Sequence, residues 1–125
     1  MKKIFLFFWQ FPQNVLGLLV ILFTKAMYNN KGFWFSTVYR FGVSLGNYII
    51  FGRSVDEISL KHEKGHQIQS LYLGWLYLIM IGLLSVIGNI WDRLTHKGWS
   101  YERREMWYYN QPWERWADKL GGVKR

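Results

Sequence analysis

His62-Glu63-Lys64-Gly65-His66 is the stretch of this chain whose residue types and spacing bear most directly on chemistry. On a helix, positions i and i+4 share one face, a turn apart. Two imidazole nitrogens so placed can reach one divalent ion at about 2.0–2.1 Å. Glu63 stands beside them, placed to accept a proton from a water held by the ion rather than to bind the ion itself. Zinc is the expected metal, because it brings the pKa of water from about 15.7 toward about 7. The plainer alternative is a polar helix start with two solvated histidines. The motif sits at the mouth of an uncharged block, where ionisable residues tend to be functional, and this weighs against the alternative.

A catalytic zinc takes three protein ligands and keeps a fourth position open. The chain has no cysteine, and the candidates for the third ligand are His96, Glu102, Glu105, Glu114 and Asp118. Glu114 is favoured, since Glu114-Arg115-Trp116-Ala117-Asp118 sets two carboxylates on one helical face; the plainer alternative is the solvated face of an end helix. An H-E-x-x-H helix completed by a downstream E-x-x-x-D resembles the gluzincin group of zinc metallopeptidases. The resemblance covers two five-residue motifs in a chain of 125 residues. It implies zinc ligands at His62, His66 and Glu114, a general base at Glu63, and Asp118 orienting a ligand histidine. The chain departs from soluble gluzincins in its small size and apolar blocks, so no fold is carried over. Membrane-embedded site-2-type proteases also use H-E-x-x-H, but the Asp they add from a later membrane helix has no counterpart inside an apolar block here.

Other polar residues have two readings each. His96 is an alternative ligand or an oxyanion stabiliser, or a solvated loop histidine. Tyr108 and Tyr109 are candidates to donate to a tetrahedral intermediate, or they are interfacial anchors. Gln67, Gln69 and Ser70 continue the polar helical face, either binding substrate backbone or lining a wet cavity. Lys64 points away from the ligand face. Arg103 and Arg104 are expected at lipid headgroups.

The elements that must position these groups are unusual for a soluble domain. Half of the chain is apolar, a fifth is aromatic, and the net charge is +8. The basic residues, among them Lys31, Arg40 and Arg53, are scattered. No RNA-binding aromatic signature or helix-turn-helix organises them, so a nucleic-acid partner is set aside in favour of a basic rim facing anionic lipid.

We expect a single membrane-embedded domain over 1–125, of α+β class and mainly α, with membrane-associated helices and a short β-hairpin packed near the H-E-x-x-H helix. Residues 1–28 read as an N-terminal membrane helix. Within them, 4–11 form a lipid-dipping arm and a helix runs from about Pro12 to Tyr28. A signal peptide is disfavoured by the poor small-x-small pattern. Asn29-Asn30-Lys31-Gly32 signals a turn. Residues 33–52 alternate and are punctuated by glycine, as in a hairpin, which either binds peptide by β-addition at an exposed edge or simply roofs the metal-site helix. Residues 54–91 carry the metal-site helix, capped by Ser54 or Asp56, and an apolar block. Residues 92–125 have the Trp/Tyr-rich composition of a membrane–water interface. A last helix starts near Pro112 and ends at Gly121-Gly122.

If Glu114 meets His62 and His66, both flanks of the block 71–90 lie on one membrane side. A straight span would separate them by about 30 Å, so the block is expected either to turn back near 82–85 or to lie in one leaflet. The expected location is an integral protein of a bacterial-type inner membrane with the site facing the cytoplasm. Its partners would be membrane lipid and a peptide or protein substrate. Zinc-dependent peptide hydrolysis at or in the membrane is the leading reading. A non-enzymatic membrane subunit or assembly factor, and a metal-binding module without hydrolysis, are the alternatives.

Overall fold

A computed structural model of the protein describes residues 2–29, 32–37, 41–52 and 56–125. Asn30, Lys31, Val38, Tyr39, Arg40, Arg53 and Ser54 lie outside the described residues, and with them parts of the turn, strand and helix-start expectations. The fold is mostly helical with one small mixed sheet.

Two helices open the chain, α1 (Lys2–Trp9) and α2 (Phe11–Thr24), and they meet at 86°. Pro12 occupies the first turn of α2, where its missing N–H leaves no bond unmade. Lys25 closes α2 in the left-handed region, φ 55°. The N-terminal helix therefore ends before Tyr28, and residues 4–11 belong largely to a helix of their own. The polar residues at the bend are structural. Gln10, Gln13 and Asn14 are buried. Gln13 Nε2 donates to Ser70 Oγ and to the Gly74 carbonyl, each at 2.8 Å. Asn14 Oδ1 accepts from the Asn47 backbone N–H at 2.7 Å. Buried amides require such partners, and these fasten the bend to elements far along the chain.

The sheet has strands β1 (Met27–Asn29), β2 (Gly32–Phe35), β3 (Phe41–Leu45) and β4 (Tyr48–Gly52), in spatial order β1-β2-β4-β3. β3 and β4 make the expected hairpin around Gly46-Asn47, where Gly46 takes φ 65°. The first part of the expected hairpin instead forms β2, which pairs antiparallel with β1 and parallel with β4. Ile49, Ile50 and Phe51 of β4 are buried and form the apolar centre. β3, an edge strand, lies against the next helix.

That helix is α3 (Glu57–Leu73). Asp56 caps it, its Oδ1 accepting from the Ser59 N–H at 2.7 Å. The apolar block then breaks at Gly74, not at 82–85. Gly74 adopts φ 55° and opens a 3₁₀ turn over Gly74–Leu76. The Trp9 indole packs so closely on Gly74 that a Cβ there would come within 2.6 Å of the ring. Beyond it a π-helical segment (Leu78–Leu83) runs directly into α4 (Leu84–Thr95). The stretch Leu78–Thr95 is long and apolar enough to cross a membrane, and only 17% of it is buried. Helix α5 (Tyr101–Tyr109) follows, capped by Ser100, and then α6 (Pro112–Gly121). Gly122 ends α6 at φ 76°, as the Pro112 and Gly121-Gly122 signals led us to expect.

Candidate metal centre

Among the described residues, α3 and α6 share the most extensive helix–helix contact. Two glycines permit it. A Cβ at Gly65 would run into the Ala117 carbonyl, and one at Gly121 into the Lys61 carbonyl. Gly65 lies within the H-E-x-x-H stretch, so the residue between the histidines is what lets α6 approach them.

The approach gathers three ligating groups. His62, His66 and Glu114 are all buried, and their candidate ligand atoms lie within 4.8 Å of one another. His62 Nε2 is 2.8 Å and His66 Nε2 3.1 Å from the same oxygen, Glu114 Oε2. The opposite ring nitrogens are also held. His62 Nδ1 meets Asp118 Oδ1 at 2.7 Å. His66 Nδ1 meets Gln69 Oε1 at 2.6 Å. Gln69 is itself oriented by donating from Nε2 to the Trp113 carbonyl at 2.8 Å. A carboxylate and an amide oxygen only accept, so both Nδ1 atoms carry hydrogen. In the neutral rings the lone pairs therefore sit on Nε2, facing Glu114.

These groups could hold a divalent metal ion. Tetrahedral ligands at about 2.0–2.1 Å are about 3.3 Å apart, so an ion requires each histidine Nε2 to move away from Glu114 Oε2 by only a few tenths of an ångström. Each histidine has the outer partner that ligand histidines need.

The electrostatics are those of a tightly coupled, buried cluster. Burial disfavours the charged ring of His62. Its hydrogen bonds to Asp118 and Glu114, with the charges of Glu63 and Glu114, outweigh this and raise its pKa to about 9. Burial pushes the Glu114 carboxyl up, but the hydrogen bonds and charges of His62 and His66 reverse that and hold it well below the usual carboxylate range. Asp118 is also lowered: burial is overcome by His62 and by Arg125, whose Nε lies 2.7 Å from Asp118 Oδ2.

Glu63 is buried beneath β3, and a Cβ at Gly42 would come within 3.1 Å of its Oε1. Its Oε2 has no hydrogen-bond partner among the described residues. Burial raises its pKa, against the lowering influence of His66 and His62. The centre thus holds a buried carboxyl group with one unpartnered oxygen beside two imidazoles whose Nε2 atoms meet Glu114 Oε2.

The remaining expected residues are placed as follows. The Tyr108 hydroxyl donates to Glu114 Oε1 at 2.9 Å. Tyr109 packs edge-on against His62, ring centres 4.9 Å apart, beneath the Arg125 guanidinium. His96 is engaged elsewhere, with Nδ1 2.9 Å from Asp92 Oδ1 and its ring stacked on Trp99. Arg104 also binds Asp92, 2.8 Å from Nη2 to Oδ2, and Arg103 lies over the Trp99 ring. Gln69 orients His66, and Ser70 joins the bend network. Lys64 is exposed. Glu102 and Glu105 are not in the ligand cluster. Ser85 was not foreseen: its Oγ donates to Glu114 Oε1 at 2.6 Å. A small hydroxyl inside an uncharged block was the only sequence sign of it.

No family model, curated protein or solved structure matches this chain.

Proposed function

We propose that the chain is a small membrane-associated zinc metallopeptidase that hydrolyses a peptide bond. The convergence of His62 Nε2 and His66 Nε2 on Glu114 Oε2, with both Nδ1 atoms already bonded, carries this reading. Bound zinc would acidify a water and polarise the substrate carbonyl. Glu63, with Oε2 free, takes the proton that water gives up as its oxygen adds to the carbonyl carbon. The same carboxyl then returns the proton to the amine nitrogen as the C–N bond breaks, leaving one acid and one amine. The raised pKa of Glu63 suits a group that must both accept and donate.

The edge position of β3 supports a peptide substrate. A two-residue turn makes Leu45 and Tyr48 a hydrogen-bonded pair, so the polar groups of Gly42 and Ser44 point away from β4, those of Ser44 into the buried interior. The Ser44 carbonyl accepts from the Tyr77 hydroxyl at 3.0 Å. Gly42, beside Glu63, is where an added strand would pass the base.

Zinc content of purified wild type is compared with that of His66→Ala. A quenched peptide library is then presented in detergent micelles to wild type and Glu63→Gln. About one zinc per wild-type chain, lost in His66→Ala, together with cleavage lost in Glu63→Gln, is expected. Absence of zinc from the wild type refutes the reading. Zinc without Glu63-dependent cleavage leaves a metal-binding module instead.

A further inference from the structure

We propose that Ser85, with Asn89 acting through Tyr108, is a positioning residue that makes Glu114 bind the metal through one oxygen; this rests on the zinc site described above. Glu114 is fully buried. Its Oε1 accepts from Ser85 Oγ at 2.6 Å and from the Tyr108 hydroxyl at 2.9 Å. Two donors fill the two lone pairs of that oxygen. The carboxylate cannot swing to chelate an ion through both oxygens without giving up these bonds, so Oε2 alone is left for the ion. The Tyr108 hydroxyl, having donated its proton, accepts from Asn89 Nδ2 at 3.2 Å. Ser85 and Asn89 are four residues apart on α4 and share its face. The apolar helix supplies no ligand among the described residues, yet it dictates how one ligand is presented. Seating of that helix and the geometry of the metal are thereby coupled.

The full-length protein in detergent micelles is titrated with zinc against a chelator of known affinity. The cobalt(II)-substituted protein is examined by visible absorption. Ser85→Ala is expected to weaken zinc binding by about 10–100-fold, the usual effect of removing a ligand's outer partner. Its cobalt bands should change, as Glu114 becomes free to use both oxygens. Ser85→Thr, which keeps the hydroxyl, should restore both. Asn89→Ala, at an exposed position, should shift the same bands with a smaller loss of affinity. Wild-type affinity and spectrum in Ser85→Ala overturn the proposal. If that variant does not fold, an unchanged spectrum in Asn89→Ala overturns it. A wild type that takes up neither ion overturns this proposal and the zinc site together. Failure to cleave peptides bears on the peptidase reading alone, because neither readout uses turnover.

Discussion

At the scale of single residues, Glu63, Asp118 and His62 have separable tasks. Glu63→Gln keeps the side-chain volume and removes the proton acceptor, so peptide hydrolysis should fall by about 10²–10⁴-fold while zinc content stays at the wild-type level. Asp118→Asn should retain the shape but lose the charge that holds His62 Nδ1–H, lowering zinc affinity about 10–100-fold in a chelator titration. The pH response follows from His62. Its pKa in the folded, metal-free chain is raised to about 9, so near neutrality zinc must displace its proton. Affinity should therefore rise with pH up to about 9, by about tenfold per unit for each proton displaced. In the metal-free protein the sign for stability is opposite. The stabilisation from His62 is complete below its unfolded pKa and is lost as pH climbs through about 9. The placing of His62 with His66, and of Glu114 with Asp118, was legible because an i,i+4 spacing is a geometric statement within one helix. Gln69 and Ser85 were not, because their partners, the Trp113 carbonyl and Glu114, are supplied by a distant helix that no local pattern announces.

At the scale of elements, the site depends on how closely α6 lies against α3. Gly65→Ala would press a methyl group into the Ala117 carbonyl, and backbone cannot move aside as a flexible side chain can. Destabilisation of about 1–3 kcal/mol is expected, with zinc binding weakened as Glu114 withdraws; thermal unfolding with and without zinc checks both. Unchanged stability would mean that the helices are not in contact at Gly65. The limits of α6 could be read because Pro112 and Gly121-Gly122 act locally. The same holds for the Asp56 cap and for the β3–β4 hairpin, whose two-residue turn is self-contained. The β2–β4 pairing was not readable, since it is parallel and joins strands that are not consecutive. Nor was the role of Gln10, Gln13 and Asn14. In sequence they interrupt an apolar block, whereas in space they supply the hydrogen bonds that hold α2 to Ser70, Gly74 and Asn47.

At the scale of the whole molecule, the stretch Leu78–Thr95 has two unlike sides. Ile79, Leu83, Val86, Ile87, Ile90 and Leu94 are exposed, an apolar surface that calls for an apolar neighbour. Ser85 and Asp92 face the other way, bonded to Glu114 of α6 and Arg104 of α5. Those two helices also carry exposed charges at Glu102, Arg103, Arg115 and Lys119. Arg or Lys at a bilayer centre costs about 2.5–3.5 kcal/mol each. A straight crossing by this stretch, about 27 Å long at 1.5 Å per residue, would drag the charged helices into hydrocarbon alongside it. Lying in one leaflet, with the apolar side in lipid and α5 and α6 toward water, avoids that cost. It also keeps both ends of the stretch on the side of the metal centre. Because the chain has no cysteine, single probes can be placed at will. Lys61→Cys, on α3, and Lys97→Cys, beyond α4, should both react with an impermeant maleimide from the same face of sealed vesicles. Reaction from opposite faces would establish a full crossing, and the charged helices would then need a protein or aqueous surface to face within the membrane.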